Sequence, residues 1–172
     1  SALGTGIGGV FGLQVATTGW NEKRLRAANR PFRPIHTHAG SHAGYYPGAE
    51  TISIKLLVDP ATDAILGAQA VGREGADKRI DVLATAIRGG ITASGLIGLE
   101  LAYAPPFGSA KDPINMLGYI AQNLRDGLIE TIQWHELDRE PAGNTVLVDV
   151  RTRDEHDEGA IPGSINLPID EL

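Results

Sequence analysis

The sequence predicts an α+β domain over residues 1–128, a mostly antiparallel sheet with packed helices. A linker over 129–143 then leads to the truncated start of an α/β unit over 144–172. Three observations carry this reading. Strand patterns of period two cluster in the first half and lie close enough in sequence to pair as hairpins. The two clearest helical patterns come after those strands, an α+β order and not a repeating βαβ one. An apolar strand at 146–150, composed for a parallel core, then opens a stretch whose strands need neighbours beyond residue 172.

Taken in order, residues 11–18 read as a strand ended by Gly19. Asn21 is placed to N-cap a short helix over 22–28, with Glu22 favouring its dipole. Pro31 and Pro34 confine 32–38 to an edge strand or extended loop. Ile52, Ile54, Leu56 and Val58 alternate with Thr51, Ser53 and Lys55, the pattern of a half-buried strand. Asp59-Pro60-Ala61-Thr62-Asp63 is a turn, and 65–71 returns as the second arm of a hairpin. Ile80, Leu83, Ala84 and Ile87 recur at helical spacing, Asp77, Asp81 and Arg88 lie off that stripe, and Gly89-Gly90 ends the helix. A short helical or looped stretch covers 92–101. Asp112-Pro113 is a strong helix start whose buried face is marked by Ile114, Leu117, Ala121, Leu124 and Leu128. Residues 131–140 are polar around Trp134, and Pro141-Ala142-Gly143-Asn144 is loop chemistry. A short helix over 152–158 and a strand over 164–167 complete the second unit.

Composition excludes several classes of function. Apolar residues make up 42% of the 172, which supports a real core, while aromatics are only 5%. The formal charge is −6 and no run of Lys or Arg occurs, which argues against nucleic acid as the partner. There is no cysteine, hence no disulfide, thiol nucleophile or thiolate metal site in this chain, and a cytoplasmic location is expected. The first twenty residues are uncharged but hold six glycines and three threonines, too polar to insert as a membrane span. Ser1 in place of an initiator Met points to a piece of a longer protein.

Most short motifs have plain structural readings. Gly4-Thr5-Gly6-Ile7-Gly8-Gly9 fits G-x-G-x-x-G on paper, but it has no strand before it and Asn29 where an acid is needed. His36, His38 and His42 lie close together, and the first two share a face if the segment is a strand. Zinc needs further ligands and a second shell, so a polar loop is the reading and no metal ligand is assigned. A self-sufficient small binding module, holding a metal through those three histidines, is kept as the rival. No serine sits in a G-x-S-x-G elbow. Two loops are more informative. Residues 41–49 place Tyr45 and Tyr46 among glycines and Pro47, and 99–113 place Tyr103 beside Ala104-Pro105-Pro106-Phe107. A phenol on a stiff loop can hold or polarise a ligand, or equally cap a core or an interface.

With Val15-Ala16-Thr17-Thr18-Gly19-Trp20-Asn21-Glu22 and Gly67-Ala68-Gln69-Ala70-Val71-Gly72, these loops resemble the C-terminal dimerisation domain of pyridine nucleotide–disulfide oxidoreductases. Within that family they most resemble coenzyme A-disulfide reductases, over about residues 3–128. Leu147-Val148-Asp149-Val150-Arg151 and Gly159-Ala160-Ile161-Pro162-Gly163-Ser164 resemble the start of a rhodanese domain, with Ala160 where His is usual.

The resemblance implies a homodimer, with FAD and NAD(P)H bound mainly by domains preceding Ser1 and a rhodanese cysteine following Leu172. Coenzyme A disulfide or persulfide is the implied substrate. Tyr103 and one of Tyr45 and Tyr46, taken as Tyr45, are implied at the substrate thiol, and Ala104, Pro105, Pro106 and Phe107 at the cofactor. Ala104-Pro105 stands where classical disulfide reductases carry a catalytic His-Pro. The fragment alone is expected to be inactive, since both chemistries pass through a thiolate.

Overall fold

The computed structural model describes residues 2–139 and 145–171. The predicted loop 141–144, and with it the end of the predicted linker, lies outside the described residues. Two compact units divide after Glu130. The first is a five-stranded antiparallel sheet of order β1-β2-β5-β4-β3 with helices on it, the α+β class that the strand and helix patterns predict.

The strands are β1 (Gly6–Val10), β2 (Leu13–Gly19), β3 (Arg33–Gly40), β4 (Thr51–Val58) and β5 (Ile65–Gly72). Side chains alternate across a strand, so the register sorts them into two faces. Ile35, Leu56, Ala68 and Thr18 form one cross-strand row, and Thr37, Ile54, Ala70 and Ala16 the next. All eight are buried. Helices α2 (Ala76–Gly89) and α3 (Pro113–Arg125) cover this face with Ile80, Leu83, Ile114, Leu117 and Ala121. Burying each large aliphatic side chain contributes roughly 1.5–3 kcal/mol. The other face carries the rows His36-Lys55-Gln69-Thr17 and His38-Ser53-Val71-Val15. Only its end is closed, where α1 (Glu22–Ala27) packs Leu25 against Leu57 and Leu66, beside Trp20 and Phe32.

Three sequence-based expectations need correction. Residues 11–18 are not one strand: Phe11 and Gly12 are the two-residue turn of the β1–β2 hairpin, with φ of 49° and 80°. That pair of positive φ values is what a type I′ turn requires, and Phe-Gly does not advertise it as Asn-Gly does. Residues 6–10, within the glycine-rich run to which no strand is assigned above, are therefore the edge strand β1. Leu128 is not on the buried face of α3 but 72% exposed, because the helix ends at Arg125 with Asp126 as C-cap.

The second unit holds a 3-10 helix (Trp134–Arg139), β6 (Val148–Asp149), α4 (Arg153–Glu158) and β7 (Ile165–Asn166). β6 and β7 pair parallel, both shorter than the predicted spans. Thr152 and Glu155 cap α4 reciprocally as a capping box. Arg151 binds the Asp149 carboxylate at 2.6 Å and the Gly159 carbonyl at 2.8 Å, holding the Asp149 pKa down at about 2. Val146, Val148, Val150, Ile165 and Leu167 are all exposed.

Gly67 tests the first unit. A Cβ there would collide with the backbone N and carbonyl of Trp20, where the chain crosses from the sheet towards α1. Backbone cannot move aside as a side chain can. Gly67→Ala is expected to lower stability by about 2–3 kcal/mol, read from urea unfolding by tryptophan fluorescence.

Candidate functional site

The two tyrosine-bearing loops converge at one end of the sheet. The first, residues 41–50, joins β3 to β4; the second, 99–112, joins a 3-10 turn (Ser94–Gly98) to α3. Asn115 fixes the start of the second loop, its amide donating to the Leu96 and Leu99 carbonyls at 3.0 Å each. Asp112 fixes its end as the N-cap of α3, in a capping box with Asn115. Between these anchors, Phe107 and Gly108 N–H groups donate to the Ala104 carbonyl, folding 104–108 into a tight turn. The Ala43 N–H then donates to the Gly108 carbonyl at 2.8 Å, joining the loops.

Above that junction the Tyr45 and Tyr103 hydroxyls lie 3.0 Å apart. Tyr45 is 78% exposed and Tyr103 48%, so neither phenol fills a core. Tyr46 points elsewhere, edge-on to the His42 ring at 5.7 Å. The hydrogen bond with Tyr45, with partial burial after it, pushes the Tyr103 phenol up from its ordinary range. The pair thus presents a protonated donor to whatever approaches the loops. Ala104 and Pro105 are half-buried, while Pro106 and Phe107 are exposed. None of the four carries a charge or hydroxyl to hold a pyrophosphate. By themselves they do not form a dinucleotide site. Two clefts, one lined by Arg33, Asp59, Asp63 and Arg125 and one by Ala2, Thr5, Asp81 and Arg88, lie away from these loops.

The three histidines do not converge. His36 and His38 project from the open face of β3, where His38 Nδ1 meets Ser53 Oγ at 2.9 Å. Burial first, then the neighbouring Lys55 and His38 charges, push the His36 pKa down. His42 is buried in the first tyrosine loop, its Nδ1–H donating to the Ala43 carbonyl and its Nε2 3.7 Å from Glu74. Among the described residues no group of three or more metal-ligating side chains is placed to hold an ion.

Beneath the loops lies a polar group that sequence reasoning missed. Arg79 on α2 is 2% exposed and pairs with the Asp112 carboxylate through Nε at 3.3 Å and Nη2 at 2.8 Å. Lys78 Nζ approaches the same carboxylate at 4.0 Å and donates to the Ala102 carbonyl. Ser41 Oγ donates to Glu74 at 2.8 Å. A signal was present. Ala76, Arg79, Ile80 and Leu83 fall at i, i+3, i+4 and i+7, so Arg79 stands on the buried stripe and needs an acceptor there.

Residues 8–113 match the family model described as pyridine nucleotide-disulphide oxidoreductase, dimerisation domain, and residues 133–172 match that of the rhodanese-like domain. A coenzyme A disulfide reductase of Staphylococcus haemolyticus is 38% identical over 122 residues, 71% of this chain and 27% of that protein. One from Staphylococcus aureus is 40% identical over 120 residues, 70% of this chain and 27% of that protein. Among solved structures, reduced Bacillus anthracis CoADR-RHD is 53% identical with a TM-score of 0.94, covering 99% of this chain and 30% of that one. A NAD-dependent persulfide reductase from A. fulgidus is 38% identical with a TM-score of 0.88, over the same shares. The chain therefore spans less than a third of the length of these relatives.

The tyrosine pair generates a titration prediction. The folded pKa of Tyr103 is raised, so the stabilisation from its hydrogen bond is present at neutral pH and is lost as pH rises through that folded pKa. Tyr45→Phe is expected to return the Tyr103 midpoint towards ~10, followed by NMR of tyrosine labelled with ¹³C at Cζ.

Proposed function

Because this chain belongs to the pyridine nucleotide-disulphide oxidoreductases through their dimerisation domain, we propose that it completes the active site of an FAD-dependent, NAD(P)H-using reductase of coenzyme A disulfides or persulfides. One observation carries the reading: two exposed phenols held 3.0 Å apart on loops joined by a backbone hydrogen bond. The relatives named as coenzyme A disulfide reductases and as a persulfide reductase supply the substrate class.

The chemistry asked of the pair is limited. In disulfide reduction a thiolate attacks one sulfur and the other sulfur leaves as a thiolate. This chain has no cysteine, so the attacking thiolate belongs to another part of the parent enzyme. The leaving thiolate, with a conjugate acid of pKa ~8.5, is a weaker base than a phenolate of pKa ~10. A phenol raised further by its neighbour holds its proton more tightly still. The Tyr45–Tyr103 pair therefore stabilises the departing sulfur by donating the one O–H that their shared hydrogen bond leaves free, and full proton transfer to that sulfur is uphill. The shared hydrogen bond holds the two hydroxyls in a fixed relation, each phenol orienting the other. FAD, when bound in the parent, relays electrons from NAD(P)H; Ala104, Pro105, Pro106 and Phe107 would lie against it as an apolar cover. The second unit is the start of a rhodanese-like domain, the kind of module that handles persulfide sulfur.

Two measurements test this reading. Tyr103→Phe and Tyr45→Phe in the full-length reductase are each expected to lower turnover with coenzyme A disulfide by a factor of ~10², as loss of one positioned donor does. Stability should stay within about 0.5 kcal/mol, because both side chains are exposed. Wild-type turnover in both variants would remove the catalytic role. Residues 1–130 are expected to run as a two-fold dimer in light scattering, and a monomer mass at tens of micromolar would count against an association domain.

A further inference from the structure

Arg79 spends its donors on three separate parts of the chain. Nε and Nη2 grip the Asp112 carboxylate, Nη2 also donates to the Ser41 carbonyl at 2.8 Å, and Nη1 donates to the Gly75 carbonyl at 3.4 Å. Ser41 is the first residue beyond β3 and opens the loop that carries Tyr45. Asp112 closes the loop that carries Tyr103. One guanidinium is thus the common root of both loops.

The exposure of the phenols makes that root matter. With Tyr45 78% and Tyr103 48% exposed, packing around the rings does not hold their hydroxyls together. The spacing has to be delivered from the loop bases. Two features pass it upward: the tight turn over residues 104–108 and the Ala43–Gly108 hydrogen bond that lies between root and phenols. A guanidinium is planar, with its N–H groups in a fixed fork, so binding Ser41 and Asp112 together also sets the angle between them. An ammonium is a point charge and holds no such angle. Gly75 is shaped to the same end. Its φ is +76°, and a Cβ on it would collide with Nη1 of Arg79. Glu74, beside it, receives the Ser41 hydroxyl and so strengthens the same root.

We infer that Arg79 is a positioning residue for the tyrosine pair, setting the distance between the Tyr45 and Tyr103 hydroxyls by tying Ser41 and Asp112 to one fork. Its consequence for turnover rests on the function proposed above; its consequence for the phenol contact does not.

The test is Arg79→Lys in the full-length reductase, which keeps a cation opposite Asp112 but loses the fork. The expected result is a folded dimer with wild-type circular dichroism and flavin spectrum. The Tyr103 midpoint, read by ¹³C NMR and assigned with Tyr103→Phe, falls towards ~10. Turnover with coenzyme A disulfide falls by up to ~10², the scale of a small misplacement of catalytic groups. A lowered midpoint with unchanged turnover would leave the positioning role standing and overturn the catalytic role of the pair. An unchanged midpoint in the folded variant overturns the inference, whatever the turnover does. Should Arg79→Lys fail to fold, the double variant Arg79→Met with Asp112→Leu removes the charges together, so that neither is orphaned, and the midpoint is read there by the same criteria. Failure of both to fold would make the ion pair structural alone and overturn the inference.

Discussion

A guanidinium buried at the edge of an aliphatic core obliges its surroundings to supply acceptors, and in this domain they come from both tyrosine loops and from the helix start. Arg79 is 2% exposed and Asp112 3%, so the pair has given up nearly all its hydration. Removing one partner of such a pair typically costs about 3–5 kcal/mol, because the other charge is then stranded. The local geometry follows from avoiding that cost. Asp112 is at once the salt-bridge partner and the N-cap of α3, its Oδ1 also accepting from the Ile114 N–H at 3.1 Å. Gly75 is at once the N-cap of α2 and the residue that leaves room for the guanidinium. The starts of both core helices and the roots of both loops are therefore one connected set of hydrogen bonds.

The sheet provides the rigid floor beneath that set. Its helix-covered face is aliphatic with alanines at Ala16, Ala68 and Ala70, small enough for α2 to approach β2 and β5 closely. Its open face carries Lys55, His36, His38, Gln69 and Thr17. This polarity lets an antiparallel sheet leave one face uncovered. The edges are managed as well. β3 carries Pro34, which cannot donate outward, and β1 is a short, glycine-rich strand. Conspicuously apolar and exposed residues of the first unit include Phe11 on the hairpin turn, Phe107 on the second loop and Leu128 beyond α3.

On the function proposed above, the absence of cysteine separates the electrostatic part of the chemistry from the redox part. With no cysteine, none of these 172 residues can form a mixed disulfide. What the first unit offers is placement: two phenols, an apolar loop and the buried network that holds them. Donors arranged in advance at a position where negative charge develops are among the largest contributors to enzymic rate, and they require rigidity more than reactivity.

Sequence by itself determined the elements whose signal is local. The β4–β5 hairpin was legible from alternation around Asp59-Pro60, α2 from its apolar stripe, and the start of α3 from Asp112-Pro113, since each pattern arises from side chains within a few residues of one another. Loop residues such as Tyr103-Ala104-Pro105-Pro106-Phe107 also carried the family resemblance. Tertiary structure decided the rest. β1 carries little but glycine to signal a strand, and it becomes one only because β2 pairs with it. Tyr45 and Tyr103 stand 58 positions apart, and neither loop records that their hydroxyls meet. Arg79 could be seen to need an acceptor, but not that Asp112, 33 residues away, and Ser41, 38 away, would supply it. The physical reason is the same each time: periodicity reports which face of an element is buried, whereas the partner on that face depends on how separate elements pack in three dimensions.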